Sequence, residues 1–316
     1  SRVLSGSPGV SNETAERIRR VIEEMDYRPN LGARGLVKRQ TGNIAVALPK
    51  GTSFILGNPF FTRVIEGIAA TLDDTHYNMI LSFTAQQQKR ILESRAVDGI
   101  LLFAPRTNDL TLEFIEQSGS KTVLIGSYLE NTPVPCVRPD DFGGVASAVE
   151  QLHRLGHRRI ALVNGPANSL KSQRCLEGYR EGLRRTGTPF HPEDVIRADE
   201  FEAVKAKDAM HAYLDSGRKA SGVVCASDYL ALGVIKAASE RRLAIPQDLS
   251  VIGFGDVPFA EFFIPSLSTM AVDLVGMGRL AAKLLLDVLQ GKQIRKKERI
   301  FTMEFVERET CASPRA

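Results

Sequence analysis

The stretch Tyr27–Pro49, "YRPNLGARGLVKRQTGNIAVALP", joins two unlike kinds of chain. Its first part holds Arg28, Arg34, Lys38 and Arg39, no acid, two glycines (Gly32 and Gly35) and the apolar pair Leu36–Val37. Its last part turns into a β-type run, Ile44–Leu48. On the N-terminal side stands "VSNETAERIRRVIEEMDYRP", which reads as a helix. Ser11 is an N-cap, Glu13 lies in the first turn, and Val10 can staple onto the helix. Ala15, Ile18, Ile22 and Met25 follow at spacings of three and four, giving one apolar face, and Pro29 ends the element. So short a helix needs partners to bury that face. The nine residues before it, "SRVLSGSPG", resemble the tail of a further helix and a Gly-Pro turn, so the expectation is the later part of a small helical domain.

After Gly42 strands and helices alternate. The strands expected are Ile44–Leu48, Asn78–Phe83, Gly99–Phe103, Thr122–Ile125, Arg159–Val163, Gly222–Cys225 and Ser250–Phe254. Helical periodicity falls near Phe60–Asp74, Leu110–Gln117, Val145–Leu155, Arg174–Arg185, Ala203–Ser216 and Tyr229–Arg241. A last helix, Gly276–Gln290, precedes short strands near Ile300–Thr302 and Glu304–Glu307. Near-continuous apolar strands between amphipathic helices mean parallel sheet covered on both faces. The fold class is α/β, and the length favours two such sheets over one. Ligands bind such sheets at the carboxyl ends of their strands, so the cleft between two lobes is the expected site.

Bulk composition excludes several classes. Of 316 residues 43% are apolar and 25% charged, and the longest apolar runs, such as Ile100–Ala104, are far too short to span a bilayer. Cys136, Cys175, Cys225 and Cys311 lie far apart with no CxxC spacing, which reads as single thiols rather than a disulfide or zinc framework. Net charge is +4, and residues 1–43, with eight Lys/Arg against five acids, carry three of it. A basic head on a nearly neutral body is the electrostatic footprint of nucleic-acid binding.

Enzyme motifs fail on inspection. "GPANSLKS", Gly165–Ser172, has P-loop spacing, but Leu170 occupies the second glycine and Pro166 has no N–H to offer phosphate. His153 and His157 are four apart, yet Gly156 ends the helix between them and no Glu follows His153. His157, Arg158 and Arg159 are therefore expected as cations at a helix C-terminus, with no metal and no cofactor. No nucleophile elbow and no GxGxxG follows any strand, and catalysis finds no support.

"SRVLSGSPGVSNETAERI…YRPNLGARGL" followed by "GNIAVALP" resembles the bacterial LacI/GalR family of transcriptional regulators. Further matches run nearly the whole length: "NPFF" (Asn58–Phe61), "VDGILL" (Val97–Leu102), "PDDFGG" (Pro139–Gly144), "LGHRRIALVNGP" (Leu155–Pro166), "SDYLALG" (Ser227–Gly233) and "IPQDLSVIGF" (Ile245–Phe254) among them. The resemblance implies a partial helix-turn-helix headpiece at 1–28, a hinge at 29–43 and a two-lobed, type I periplasmic-binding-protein-like core at 44–316. It further implies lobes that exchange segments, the first about 44–155 plus 274–295 and the second about 156–273 plus 298–316.

Function follows from the same resemblance as expectation: a cytoplasmic, effector-responsive repressor, homodimeric on operator DNA, with no membrane attachment. Family hinges become helical on operator and enter the minor groove in pairs. Gly32 and Gly35 each cost about 1 kcal/mol of helix stability, so Asn30–Val37 should not be helical alone. By its match to the hinge motif Leu36 is the wedge between base steps, while Arg34, Lys38 and Arg39 meet phosphate and Asn30 and Ala33 belong to the same contact surface. Arg2 falls in the groove-reading helix. The effector positions of the family map to Phe60, Phe61, Asp140, Lys171, Phe201 and Ser227. Two departures matter. Where the family has an effector-contacting arginine this chain has Cys175, with Arg174 beside it, and where it has an aspartate stands Gly255, followed by Asp256. One carboxylate lost and Lys171 gained favour an anion, so the expected effector is a carbohydrate, with a sugar acid or sugar phosphate preferred. The chain between "NMILSF" and "RAVDGI" is short, so the second helix of the first lobe is expected short or partly missing. The competing reading is a periplasmic-type solute receptor, which requires a signal peptide where this chain has its basic helix and hinge.

Overall fold

A computed structural model describes residues 10–25, 40–48, 51–106, 115, 119–127 and 134–315. The chain divides into two units, Ser1–Gly42 and Asn43–Ala316. In the first, α1 spans Asn12–Glu24, and the hydroxyl of its N-cap Ser11 accepts the N–H of Thr14 at 3.3 Å. No residue of α1 is buried. Residues 29–39 of the expected hinge lie outside the described residues, and Asn43, its last, already opens the first strand of the second unit.

The second unit is built on two six-stranded sheets. The first contains β1 (Asn43–Ala47), β2 (Asn78–Ser82), β3 (Gly99–Phe103), β4 (Thr122–Ile125), β5 (Cys136–Pro139) and β11 (Glu298–Phe301) in the order β11-β5-β4-β3-β1-β2, all parallel. The second contains β6 (Ile160–Asn164), β7 (Val195–Arg197), β8 (Gly222–Cys225), β9 (Ser250–Gly255), β10 (Ser268–Ala271) and β12 (Glu304–Val306) in the order β12-β10-β9-β8-β6-β7. Only its β10–β12 edge is antiparallel. Alternation explains the apolar strands. In β1, Ile44 and Val46 enter one core and Ala45 and Ala47 another; in β3, Leu101 and Phe103 divide from Ile100 and Leu102 in the same way. Both faces are covered, so the strand interiors Ile44–Ala47 and Ile100–Phe103 are apolar throughout.

Helices cover these faces. Those of the first sheet are α2 (Thr52–Gly57), α3 (Pro59–Leu72), α4 (Ala85–Glu93) and the late α9 (Leu274–Leu289), which packs along α3 through Met277, Ala281 and Leu285. The nine-residue α4 is the short helix that the clipped segment implies. Around the second sheet lie α5 (Asp141–Arg154), α6 (Leu170–Thr186), α7 (Ala203–Asp215) and α8 (Asp228–Glu240).

The chain passes between the sheets three times, after β5, after β10 and after β11, and two expected boundaries move accordingly. Residues 141–155 do not stay with the first lobe: Val145, Val149 and Leu152 of α5 are part of the second core. Glu298–Phe301 does not enter the second lobe, because β11 pairs in parallel with β5. Arg138 of β5 explains that pairing. Its side chain is buried and reaches Glu298 at 2.6 Å, an ion pair that needs the two strands side by side.

Candidate functional site

Between the lobes, at the carboxyl ends of β3, β4, β6, β8 and β9, lies a cleft with about 910 Å³ of empty space, its open mouth included. The first lobe supplies aromatic rings. Asn58, the N-cap of α3, accepts the N–H of Phe60 at 3.1 Å, and Pro59 at the first helical turn presets the backbone. That turn directs Phe60 into the cleft beside Phe61, and Phe54 and Phe103 pack edge-on or tilted against Phe61 at 5.8 and 5.7 Å. The second lobe contributes Phe201, Tyr229 and Phe254. The ring of Phe201 packs against the backbone of Gly165, where any Cβ would stand 2.3 Å from it. The turn that resembles a P-loop is thus filled by an aromatic side chain, and its first N–H is held by Asn164 Oδ1 at 2.9 Å.

Polar groups are few and mostly engaged. Ser227 caps α8, its hydroxyl accepting the N–H of Leu230 at 3.1 Å. Lys171, at the start of α6, places Nζ 2.6 Å from Asp141 Oδ1 and 4.1 Å from the centre of the Phe254 ring. Burial works against the ammonium, but the Asp141 carboxylate outweighs it and the pKa of Lys171 lies above its ordinary value. The charge of Lys171 is thus already paired within the protein. Arg106, following β3, and Glu200, following β7, face each other across the mouth.

Asp228 is the cleft residue that spacing alone conceals. Only 1% exposed, its carboxylate accepts the hydroxyl of Thr269 at 2.6 Å and the N–H of Val257 at 2.9 Å. Burial pushes its pKa up to about 6 against the pull of these donors. In sequence it is an ordinary acidic residue in the first turn of a helix, with Thr269 41 positions away.

Of the effector candidates, Phe60, Phe61, Lys171, Phe201 and Ser227 line the cleft. Three do not. Asp140 caps α5 by accepting the N–H of Gly143 at 3.0 Å. Arg174 points to the surface, paired with Glu177 at 2.8 Å, because its neighbour Cys175 takes the buried face of α6. Asp256 pairs with Arg308 at 2.7 Å, leaving Gly255 to line the wall. Arg2, Asn30, Ala33, Arg34, Leu36, Lys38 and Arg39 fall outside the described residues. His157 is not the helix-end cation that its position implies. It is buried between Ser221 Oγ at 2.8 Å and the Ala312 carbonyl at 3.0 Å, and burial lowers its pKa. Among the described residues no cluster of three or more metal-binding side chains occurs, all four cysteines are free and buried, and no helix is long and apolar enough to cross a membrane.

A two-lobed α/β body with an aromatic cleft between lobes joined by three crossings is built to sense a small molecule. The comparisons join that body to its head: residues 1–30 match the model of bacterial regulatory proteins of the lacI family, and residues 149–311 match a periplasmic binding protein-like domain. The chain belongs to the lacI family of transcriptional regulators. It is 30% identical to the HTH-type transcriptional repressor CytR of Escherichia coli strain K12, over 97% of this chain and 90% of the relative. Among solved structures, a transcriptional regulator CelR–cellobiose complex is 27% identical with a TM-score of 0.81, covering 98% of this chain and 94% of that one. The lac repressor dimer bound to operator and an anti-inducer shares the fold at a TM-score of 0.84 and 24% identity, with the same coverage of both chains. These relatives are regulators, not enzymes, and the lacI match falls where the receptor reading requires a signal peptide.

Proposed function

We propose that this protein is a cytoplasmic, homodimeric repressor whose cleft binds an uncharged carbohydrate and thereby controls its hold on operator DNA. The observation that carries the reading is the cleft wall. Phe60, Phe201 and Tyr229 offer flat apolar faces to the C–H face of a sugar ring, and Ser227, Asn58 and Asp228 offer hydrogen-bonding groups. Lys171 is paired with Asp141 and Arg106 with Glu200, and Asp228, also on the wall, is an acid, so a neutral polyol costs less there than an anion. The CelR complex holds cellobiose, which supports the same class of ligand. A thermal-shift screen of neutral mono- and disaccharides beside their acids and phosphates is the test. A ligand at 100 times its Kd adds about 2.7 kcal/mol to stability. Stabilisation by acids or phosphates alone would overturn the neutral reading.

The DNA side rests on residues 1–43. We assign 1–28 to a headpiece, 29–43 to a hinge and the remainder to the core, with Arg2 reading a base and Asn30, Ala33, Arg34, Leu36, Lys38 and Arg39 forming the hinge surface. In a protein with a whole headpiece, Leu36→Ala should weaken operator binding by about 2 kcal/mol, since the kinked step loses its apolar filling. The salt slope should stay put, because it counts neutralised phosphates. Replacing Arg34 or Lys38 by alanine should lower that slope by about one for each phosphate left without its cation. Binding titrations across salt concentration separate the two effects, and a Leu36→Ala protein as tight as the parent would reduce the hinge to a tether.

A further inference from the structure

The cleft is bridged by the protein's own groups as well as by the three crossings. Arg106 belongs to the first lobe and Glu200 to the second, and their side chains meet at 2.5 Å with 31% and 24% of their surfaces exposed. Beside them the backbone of Arg106 forms an antiparallel bridge with that of Ser169, again from lobe to lobe. Both bridges sit on the wall of the cleft. Neither is needed to hold a lobe together, since each lobe has its own core and the pair touches only at the mouth.

We propose that Arg106 and Glu200 form an interlobe latch at the mouth of the cleft, whose opening and closing govern access to it. An ion pair exposed to this degree is strong enough to bias two bodies toward each other and weak enough to be undone by salt or by a competing polar group. It also sits where an entering molecule must pass. A polyol that hydrogen-bonds both Arg106 and Glu200 replaces the direct pair by a bridged one and keeps the lobes together, whereas an anion competes with Glu200 for the guanidinium. The latch itself stands on this geometry; its role in effector entry rests on the reading of the cleft given above, and the experiment addresses the latch without any added ligand.

Amide hydrogen exchange on the full chain reads both sides at once. Arg106→Ala should raise exchange by up to about fivefold in second-lobe peptides containing Ser169 and Phe201, and Glu200→Gln should do the same in first-lobe peptides containing Ala104 and Arg106. The reversed pair, Arg106→Glu with Glu200→Arg, should restore most of the protection. Raising salt should loosen the parent and leave Arg106→Ala unchanged. Peptides from the interior of α7 and α8 serve as the control for general unfolding, and the near-isosteric Glu200→Gln carries the test if Arg106→Ala proves unstable. Exchange that rises only on the substituted side, or a reversed pair that restores nothing, would overturn the latch.

Discussion

Gly278→Ala should lower the stability of the core by about 3 kcal/mol, although alanine is the better helix former. Position 278 lies within α9, where glycine costs about 1 kcal/mol relative to alanine in an exposed site. Here the helix has come so close to α3 that a Cβ on residue 278 would stand 2.0 Å from the carbonyl oxygen of Val64 and 3.0 Å from the amide nitrogen of Ile68. Gly67, on the facing helix, repeats the approach from its own side, with a Cβ there 2.0 Å from the Val275 carbonyl. The obstruction is backbone on both sides, so no rotamer relieves it. The helices must separate, and the packing of Val64, Ile68, Met277 and Ala281, all buried, loosens as they do. Overpacking costs typically about 1–3 kcal/mol with side chains free to shift, and a rigid backbone puts this case at the upper end. Urea unfolding of Gly278→Ala against the parent is the measurement, with Gly57→Ala, which meets nothing within 4 Å, as the neutral control. A variant unfolding at the parental midpoint would mean that α3 and α9 do not pack this closely.

The fold is largely legible in the sequence, and its gaps have physical causes. Gly99–Phe103, Thr122–Ile125 and Gly222–Cys225 are strands end to end as their apolar runs imply, and most helices begin or end within a few residues of their periodic pattern. The strand Cys136–Pro139 escapes because half of it is Arg and Pro, and its buried arginine is paired with Glu298, 160 positions later. The allocation of α5 escapes too. Its pattern shows that Val145, Val149 and Leu152 share a face, but which sheet receives that face is a tertiary fact.

The cleft shows the same division. Phe60, Phe61, Phe201 and Ser227 are legible because a resemblance maps single positions and their location at strand or helix ends is plain. Charge misleads for the opposite reason. Lys171 stands out as an added cation, yet its value to a ligand is set by Asp141, thirty positions earlier and beneath it. Arg174 and Asp256 are plausible by adjacency alone, and one step along a helix or past a strand is enough to turn a side chain to another surface. A sequence names the ionic groups; only the fold says which of them have already been answered.

Asp228→Asn should change the pH dependence of stability by about 3 kcal/mol in full, most of it between about pH 4 and pH 7. Asp228 titrates near 6 in the fold, raised by burial from an ordinary 3.8, and each unit is worth about 1.4 kcal/mol. The raised value fixes the sign. Its contribution is fully present below about pH 4, where the carboxyl is protonated in both states, and is lost as pH rises through about 6, because the unfolded chain then binds fewer protons. Asparagine cannot titrate, so the difference between variant and parent should move in the variant's favour by that amount as pH rises. The absolute level at pH 4 is expected to be lower in the variant. Its amide oxygen still accepts from Val257, but Thr269 must turn its hydroxyl from donor to acceptor. Lys171 feels the charge of Asp228, but its raised pKa keeps it protonated across this pH range, so its own titration does not enter the comparison. Thermal unfolding of both proteins at unit steps of pH gives the two curves. Parallel curves would show that the carboxylate is solvated and that the cleft is wetter at its base than the packing of Asp228 against Thr269 and Val257 implies.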